Sequence, residues 1–466
     1  MESWANSGLD LHLDLRGRGG LRSALMATLR EDIRSGRLAP GALLPPSRTL
    51  AADLGVARNT VADAYAELVA EGWLTARRGS GTRVAPRAAS PTHQGTPRPA
   101  HVARPAHNLM PGSPDAASFP RAAWLASVRR ALTAAPSDAF GPGDPRGRPE
   151  LRNALMHYLS RARGVRADPD RIVVCSGVAH ALTLLAPLLG GAIAVEGHGL
   201  HVHRDLLAGA GVRTLPLTVD VDGARVDELP SLGARAVLLT PSHQFPIGGP
   251  LHAERRAAAV DWARRSDGLI LEDDYDGEFR YDRQPVGAMQ DLDPDRVVYL
   301  GSVSKSLSPA LRLGWMVLPD RLVDPVLEAK GLWERWVSVP DQLTLADFVA
   351  SGRYDRQIRL MRGRYHRRRD QLVATLAERA PWVRVTGIAA GLHAVLELPK
   401  GTERRVLSAA AAEGLAVGSL STFRHPDASA SRRDGLVVGY GAPAEHAFTG
   451  VLDALCRALD DADRQH

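Results

Sequence analysis

Lysine is scarce in this chain: of 58 basic residues among 466, only Lys305, Lys330 and Lys400 are lysines. GC-rich coding accounts for the bias toward arginine. It also makes each retained lysine informative, because a guanidinium cannot supply a neutral amine nucleophile. Lys305 sits in Gly301-Ser302-Val303-Ser304-Lys305-Ser306-Leu307-Ser308-Pro309-Ala310-Leu311-Arg312-Leu313-Gly314, directly after the apolar run RVVYL. An amine there can condense with an aldehyde, while the Ser302 and Ser304 hydroxyls and the Arg312 fork suit a dianion. A lone Ser-Lys pair is usually a surface lysine, so the assignment leans on its company.

That company is a set of turns, each following an apolar run. Glu272-Asp273-Asp274-Tyr275-Asp276-Gly277-Glu278-Phe279 closes GLIL, and acids at a strand's carboxyl end face the crevice where α/β sheets bind ligands. The competing readings there are a metal site or a solvated acidic loop. Ser176-Gly177-Val178-Ala179-His180 follows RIVVC and opens a helical pattern, which aims the N–H groups of Val178 and Ala179 at an anion. Alone, such a small-residue turn is common. Thr240-Pro241-Ser242-His243-Gln244-Phe245-Pro246-Ile247-Gly248 follows RAVLL and offers His243 or Gln244 to a ligand ring, although a lone histidine in a turn is more often structural.

These turns need a scaffold. From residue 113 to 466, helical patterns alternate with the runs RIVVCSG, AIAVEG, RAVLLTP, GLILEDD and RVVYLGS. Short runs rich in Val, Ile and Leu that end in Gly, Pro, Ser or Asp read as buried strands of a largely parallel α/β sheet. Residues 85–112 read as a linker rich in Pro, Ala and Arg, and between Glu71 and Asp115 six arginines occur with no acid. Residues 16–84 form a separate helical module. The length suits two or three domains. Cys175 and Cys456 match no metal or redox spacing, no apolar run approaches a membrane span, and the start lacks a leader's layout, so a cytoplasmic setting without bound metal or membrane is expected.

In the N-terminal module, Leu21, Leu25, Leu29 and Ile33 share one helical face. Ser47 is the expected N-cap of a second helix, Gly55 suits a left-handed turn, and Ala57 or Arg58 begins a third. LTARRGSGTRVA then reads as two strands around Gly79-Ser80-Gly81.

This module closely resembles the winged helix of GntR-family regulators, through Leu44-Pro45-Pro46-Ser47-Arg48, Leu54-Gly55-Val56, Arg58-Asn59-Thr60-Val61, Glu71-Gly72 and Gly79-Ser80-Gly81-Thr82. The resemblance implies that Arg48, Arg58 and Thr60 face DNA and that Arg77, Arg78 and Gly81 supply wing contacts. A three-helix packing module with a basic surface is the plainer alternative. TPSHQFPIG, EDDYDGEFRY and GSVSKSLSPALRLGW extend the likeness to the MocR and PdxR-type subgroup, in which a GntR reader is joined to a fold-type I, aminotransferase-like domain. That implies a mixed, mainly parallel sheet in a large domain and an α+β small domain.

It also implies pyridoxal 5′-phosphate as cofactor. Lys305 would form the Schiff base, and Asp273 would hold the pyridine nitrogen. Tyr275 would contact the phenolic oxygen, with His243 near the ring. Ser176, Gly177, Val178, Ala179, Ser302, Ser304 and Arg312 would surround the phosphate. The implied protein is a homodimeric regulator of double-stranded DNA whose effector is the cofactor or an adduct with an amine or amino acid. A working transaminase with an accessory reader is the alternative. Three positions depart from the subgroup. Leu200 stands where a tyrosine covers the ring, so that stacking is either lost or passed to His198 or His201, and Val437 stands where an arginine clamps a substrate carboxylate. Phe140, in the entry loop expected to reach the partner subunit, replaces a tyrosine. These departures favour sensing over sustained turnover.

Overall fold

The computed structural model describes residues 20–77, 80–86, 105–281, 286–331, 337–429 and 433–464. They fall into two compact units.

The smaller unit contains helices Leu21–Arg34, Ser47–Leu54 and Arg58–Ala70 and an antiparallel pair, Leu74–Arg77 with Gly81–Val84. Leu25, Leu29 and Ile33 enter its core beside Val61, Tyr65, Leu68 and Leu74. Leu21 stays 52% exposed. Gly55 ends the second helix at φ 66°, ψ 27°, the left-handed turn its sequence position requires. Ser47 proves to be the first helical residue rather than the cap. Pro46 occupies the cap position, and no side chain caps either short helix. Proline's fixed φ supplies the entry angle that a serine cap would otherwise set.

The larger unit is built on a seven-stranded sheet. Its spatial order is Ile172–Cys175, Gly314–Val317, Val297–Ser302, Leu269–Asp273, Ala236–Leu239, Ala192–Glu196, Arg213–Leu217. All neighbours run parallel except Gly314–Val317, which is antiparallel to both of its partners. The central strands are buried on both faces because helices cover each side, which is why they read as unbroken apolar runs. Their carboxyl ends therefore converge on one edge, which places Ser176, Asp273 and Ser302 together.

A five-stranded sheet, ordered Arg384–Thr386, His393–Glu397, Gly435–Gly439, Leu415–Ser419 and His107–Leu109, forms the second layer with helix Phe448–Arg464. His107–Leu109 corrects the linker reading of residues 85–112. It pairs in parallel with Leu415–Val417, and Gly112 reaches the Lys305 amine. A three-residue strand between prolines has no alternation to reveal it, and its partner lies some 300 residues along the chain. Residues 87–104, and the module's start at 16–19, lie outside the described residues.

Candidate functional site

The three consecutive acids of the strand end do different work because strand side chains alternate. Glu272 and Asp274 point one way and Asp273 the other. Glu272 accepts the N–H groups of Met289 and Gln290 at 2.7 and 3.0 Å, and burial pushes its pKa to about 7. Asp274 is buried against Arg163 at 2.6 Å and accepts the Tyr299 hydroxyl at 2.8 Å. Burial opposes its ionisation, but the Arg163 guanidinium outweighs that and holds its pKa below the usual carboxylate range.

Asp273 alone turns to the crevice. It is 3% exposed, and its Oδ1 is buried with no hydrogen-bond partner among the described residues. Burial raises its pKa to about 7, against the opposing pull of Lys305. The Lys305 amine, part-buried, donates to the carbonyl of Gly112. Burial lowers its pKa, while Asp273 and Asp276 work against that shift. The pair therefore stands as an amine biased toward its neutral form beside a carboxylate short of a donor.

The anion seat assembles around Gly177, whose φ of 104° favours glycine and which begins helix Val178–Leu189. The first N–H groups of a helix have no intrahelical acceptor, so those of Val178 and Ala179 remain for a ligand. Gly314 packs so closely that a Cβ there would meet the Gly177 Cα at 2.6 Å. Across this backbone lies the exposed Arg312. A Cβ on Gly177 would come within 3.8 Å of its Nη1. Arg312 is held at φ 51°, ψ 42°, a left-handed conformation that a non-glycine residue adopts at some cost. Ser302 and Ser304 are adjacent, the Ser304 N–H donating weakly to the Ser302 hydroxyl at 3.4 Å.

A cleft adjoins Asp273, lined by Glu196, Leu200, His203, Thr240, Phe245 and Tyr275 among others. Leu200 faces it as expected, but neither His198 nor His201 does. His198 is buried beside Gly197 and Leu217, and His201 sits near Phe423 with ring centroids 6.3 Å apart. The histidine that lines the cleft is His203, which the sequence reading missed. It lies one helical turn beyond Leu200, with Nδ1 4.0 Å from Asp273 Oδ2 and a pKa lowered to about 4 by burial and then by Lys305. The i, i+3 spacing was the available signal.

His243 is absent from the lining. Its Nδ1 lies 2.8 Å from Asp276 Oδ2 and 3.0 Å from the Tyr275 hydroxyl, so it meets the cleft only through Tyr275. His393, whose Nε2 sits 3.2 Å from the Pro246 carbonyl, completes a buried group with His243 and Asp276. Gln244 is tied to the His198 and Phe245 carbonyls. Val437 is fully buried in an apolar cluster with Phe245, Val395, Leu420 and Phe423, against which Leu200 and Tyr275 pack.

In the smaller unit, Arg48, Arg58, Arg77 and Gly81 are exposed and Thr60 is partly so. Arg58, Asn59 and Thr60 form the first turn of helix Arg58–Ala70, the end that enters a major groove in a helix-turn-helix. Arg78 lies outside the described residues.

The two units thus define a class of protein: a helix-turn-helix reader joined to an aminotransferase-type body. Family descriptions agree. "Bacterial regulatory proteins, gntR family" matches residues 21–84, and "Aminotransferase class I and II" matches residues 111–432. The HTH-type pyridoxine biosynthesis transcriptional regulator PdxR of Corynebacterium glutamicum is 34% identical over 442 residues, covering 93% of this chain and 95% of the relative. The probable rhizopine catabolism regulatory protein MocR of Rhizobium meliloti is 33% identical, covering 89% of each. A multiple substrate aminotransferase from Thermococcus profundus shares the fold at TM-score 0.70 and 22% identity, over 78% of this chain and 94% of that one. The chain belongs to the MocR and PdxR-type family of HTH transcriptional regulators, which carry a GntR reader on an aminotransferase-like domain. Among the described residues no helix is long and apolar enough to cross a membrane.

Proposed function

We propose that this regulator takes pyridoxal 5′-phosphate into the crevice beside Asp273 and uses it, alone or as an adduct with an amine or amino acid, as the signal that alters its grip on double-stranded DNA. The observation that carries the reading is the orphaned, buried Asp273 Oδ1 beside an amine biased toward neutrality. A protonated ring nitrogen is the donor that oxygen lacks. When bound, the cofactor supplies an aldehyde and an electron-withdrawing ring. Lys305 would hold the aldehyde carbon, and Asp273 would keep the proton at the ring nitrogen. Tyr275 would donate to the phenolic oxygen, with His243 and Asp276 orienting its hydroxyl. Ser176, Gly177, Val178, Ala179, Ser302, Ser304 and Arg312 would hold the phosphate.

Val437 speaks against sustained transamination of amino acids, because the position that would clamp a carboxylate is filled by apolar packing. On the reader side, Arg48, Arg58, Thr60, Arg77 and Gly81 would meet the operator. We further propose a cytoplasmic homodimer, with exposed Phe140 in the loop that reaches the partner.

Titrating the purified protein with pyridoxal phosphate tests the site. A new visible absorption band at one cofactor per subunit, with a changed mobility shift on the fragment upstream of its own gene, is expected. A protein that stays colourless in excess cofactor overturns the cofactor half, and one that retards no promoter fragment overturns the DNA half.

A further inference from the structure

Helix Arg353–Arg379 of the larger unit carries nine arginines against three acids. Its core face holds Tyr354, Ile358, Met361, Tyr365 and Leu372. Several of the arginines are engaged: Arg364 and Arg368 pair with Asp115 and Glu445, and Arg362 donates to the Glu278 carbonyl. Arg356, Arg359 and Arg367 are exposed and, among the described residues, have no ion-pair or side-chain hydrogen-bond partner. The acids nearest them are taken. Asp355 is bonded to Arg161, and Asp370 lies 3.4 Å from His366.

At about 100° and 1.5 Å per residue, Arg356 and Arg367 lie within about 20° of each other around the axis and about 16 Å apart along it, with Arg359 about 60° to one side. Between them lie Gly363, where a Cβ would meet only the Arg367 guanidinium at 3.5 Å, and the exposed Leu360, so no acidic side chain interrupts the row. Like charges on one helical face repel unless a counter-anion lies over them. Three guanidinium groups spread over that length are too far apart to share one small carboxylate or phosphate. They match a row of phosphates.

We infer that Arg356, Arg359 and Arg367 form a second, sequence-independent contact for duplex DNA, in which the aminotransferase-like body itself holds phosphates of the backbone. The inference rests on the duplex-binding reading of the reader. Guanidinium forks suit phosphate oxygens, and such contacts strengthen binding without reading bases.

The test uses the full-length protein with random-sequence duplexes of about 20 and about 60 base pairs, and affinity measured between about 50 and 200 mM salt. The variant replaces Arg356, Arg359 and Arg367 with Gln, and the control replaces the exposed Arg121, Arg213 and Arg265 with Gln. On the long duplex the first variant should bind at least about 10-fold more weakly at low salt, with a salt slope reduced by up to about 3 per subunit. On the short duplex it should weaken no more than on the long one, and the control should change little on either. An unchanged slope on the long duplex overturns the inference. So does equal weakening by the control, which would reduce the effect to net charge, or equal weakening toward single-stranded RNA, which would make the stripe a general polyanion surface. Arg58→Ala reports on the reader separately. If it leaves operator binding intact, the reader assignment fails, whatever the long duplex shows.

Discussion

His203 Nδ1 stands 4.0 Å from one oxygen of Asp273, while the other oxygen of that carboxylate is buried with no hydrogen-bond partner among the described residues. A histidine held neutral, with its pKa lowered to about 4, cannot neutralise the carboxylate, so the remaining oxygen waits for a cationic donor. Asp273→Asn keeps the shape and removes the charge. Losing a charge-assisted hydrogen bond of about 1.5–3 kcal/mol predicts pyridoxal phosphate binding weakened about 10- to 100-fold. Absorbance titration measures it, and unchanged affinity would place the ring elsewhere.

Lys305→Ala addresses the covalent link. Among the described residues the lysine's amine has one hydrogen-bond partner, the Gly112 carbonyl, and burial works against its charge. Removing it should therefore cost little stability while abolishing the visible band and leaving the phosphate seat at Gly177 and Arg312 in place. Thermal unfolding and the absorption spectrum of the same sample check both halves. A band that survives in the variant means another amine holds the aldehyde.

Much of the fold and of the candidate crevice was legible because local rules set it. Gly55 and Gly177 take the conformations their turns demand, and Asp273 and Lys305 follow apolar runs that prove to be adjacent parallel strands. What escaped depended on distant parts of the chain. His107–Leu109 is a strand only because Leu415–Val417 lies beside it. His243 is diverted from the cleft by Asp276 and Tyr275, a contact no spacing announces. His198 and His201 are the histidines the sequence offers because they flank Leu200. In helix His201–Gly209, however, the turn carries residue 203 to the cleft.

The shifted groups make the cofactor-free protein sensitive to pH in a defined direction. Asp273 has a pKa of about 7 when folded against 3.8 normally. The folded state thus keeps a proton that the unfolded state releases, and stability falls as pH rises through that window. Glu196, raised to about 7 by burial, acts with the same sign. His203 acts oppositely, losing stability as pH drops from 6.5 toward 4. Urea unfolding between about pH 4 and 8 should show Asp273→Asn gaining on the unaltered protein as pH rises. A constant difference across that range would mean Asp273 ionises normally.

Val437 bears on which effectors the pocket accepts. Placing Arg there would force a guanidinium among Phe245, Val395, Leu420 and Phe423 with no carboxylate in their cluster. An uncompensated buried charge costs about 3–5 kcal/mol, so Val437→Arg should unfold at markedly lower urea. A cost below about 1 kcal/mol would mean the cleft has room and polar company for a cation, and would restore amino acids with a free carboxylate as effectors.

The reader makes the last prediction. Arg58 opens helix Arg58–Ala70, is exposed, and has no side-chain hydrogen bond or ion pair among the described residues. Arg58→Ala should therefore leave folding unchanged and weaken operator binding by about 1–3 kcal/mol, with relaxed preference at one base position if it reads a base edge. Arg48 precedes the turn, on the helix that crosses the backbone, so Arg48→Ala should weaken all duplexes alike and lower the salt slope by about one. Gel-shift titrations against the operator and a scrambled duplex separate the two. If Arg58→Ala binds the operator as tightly as the unaltered protein, this helix end is not the one that meets the bases.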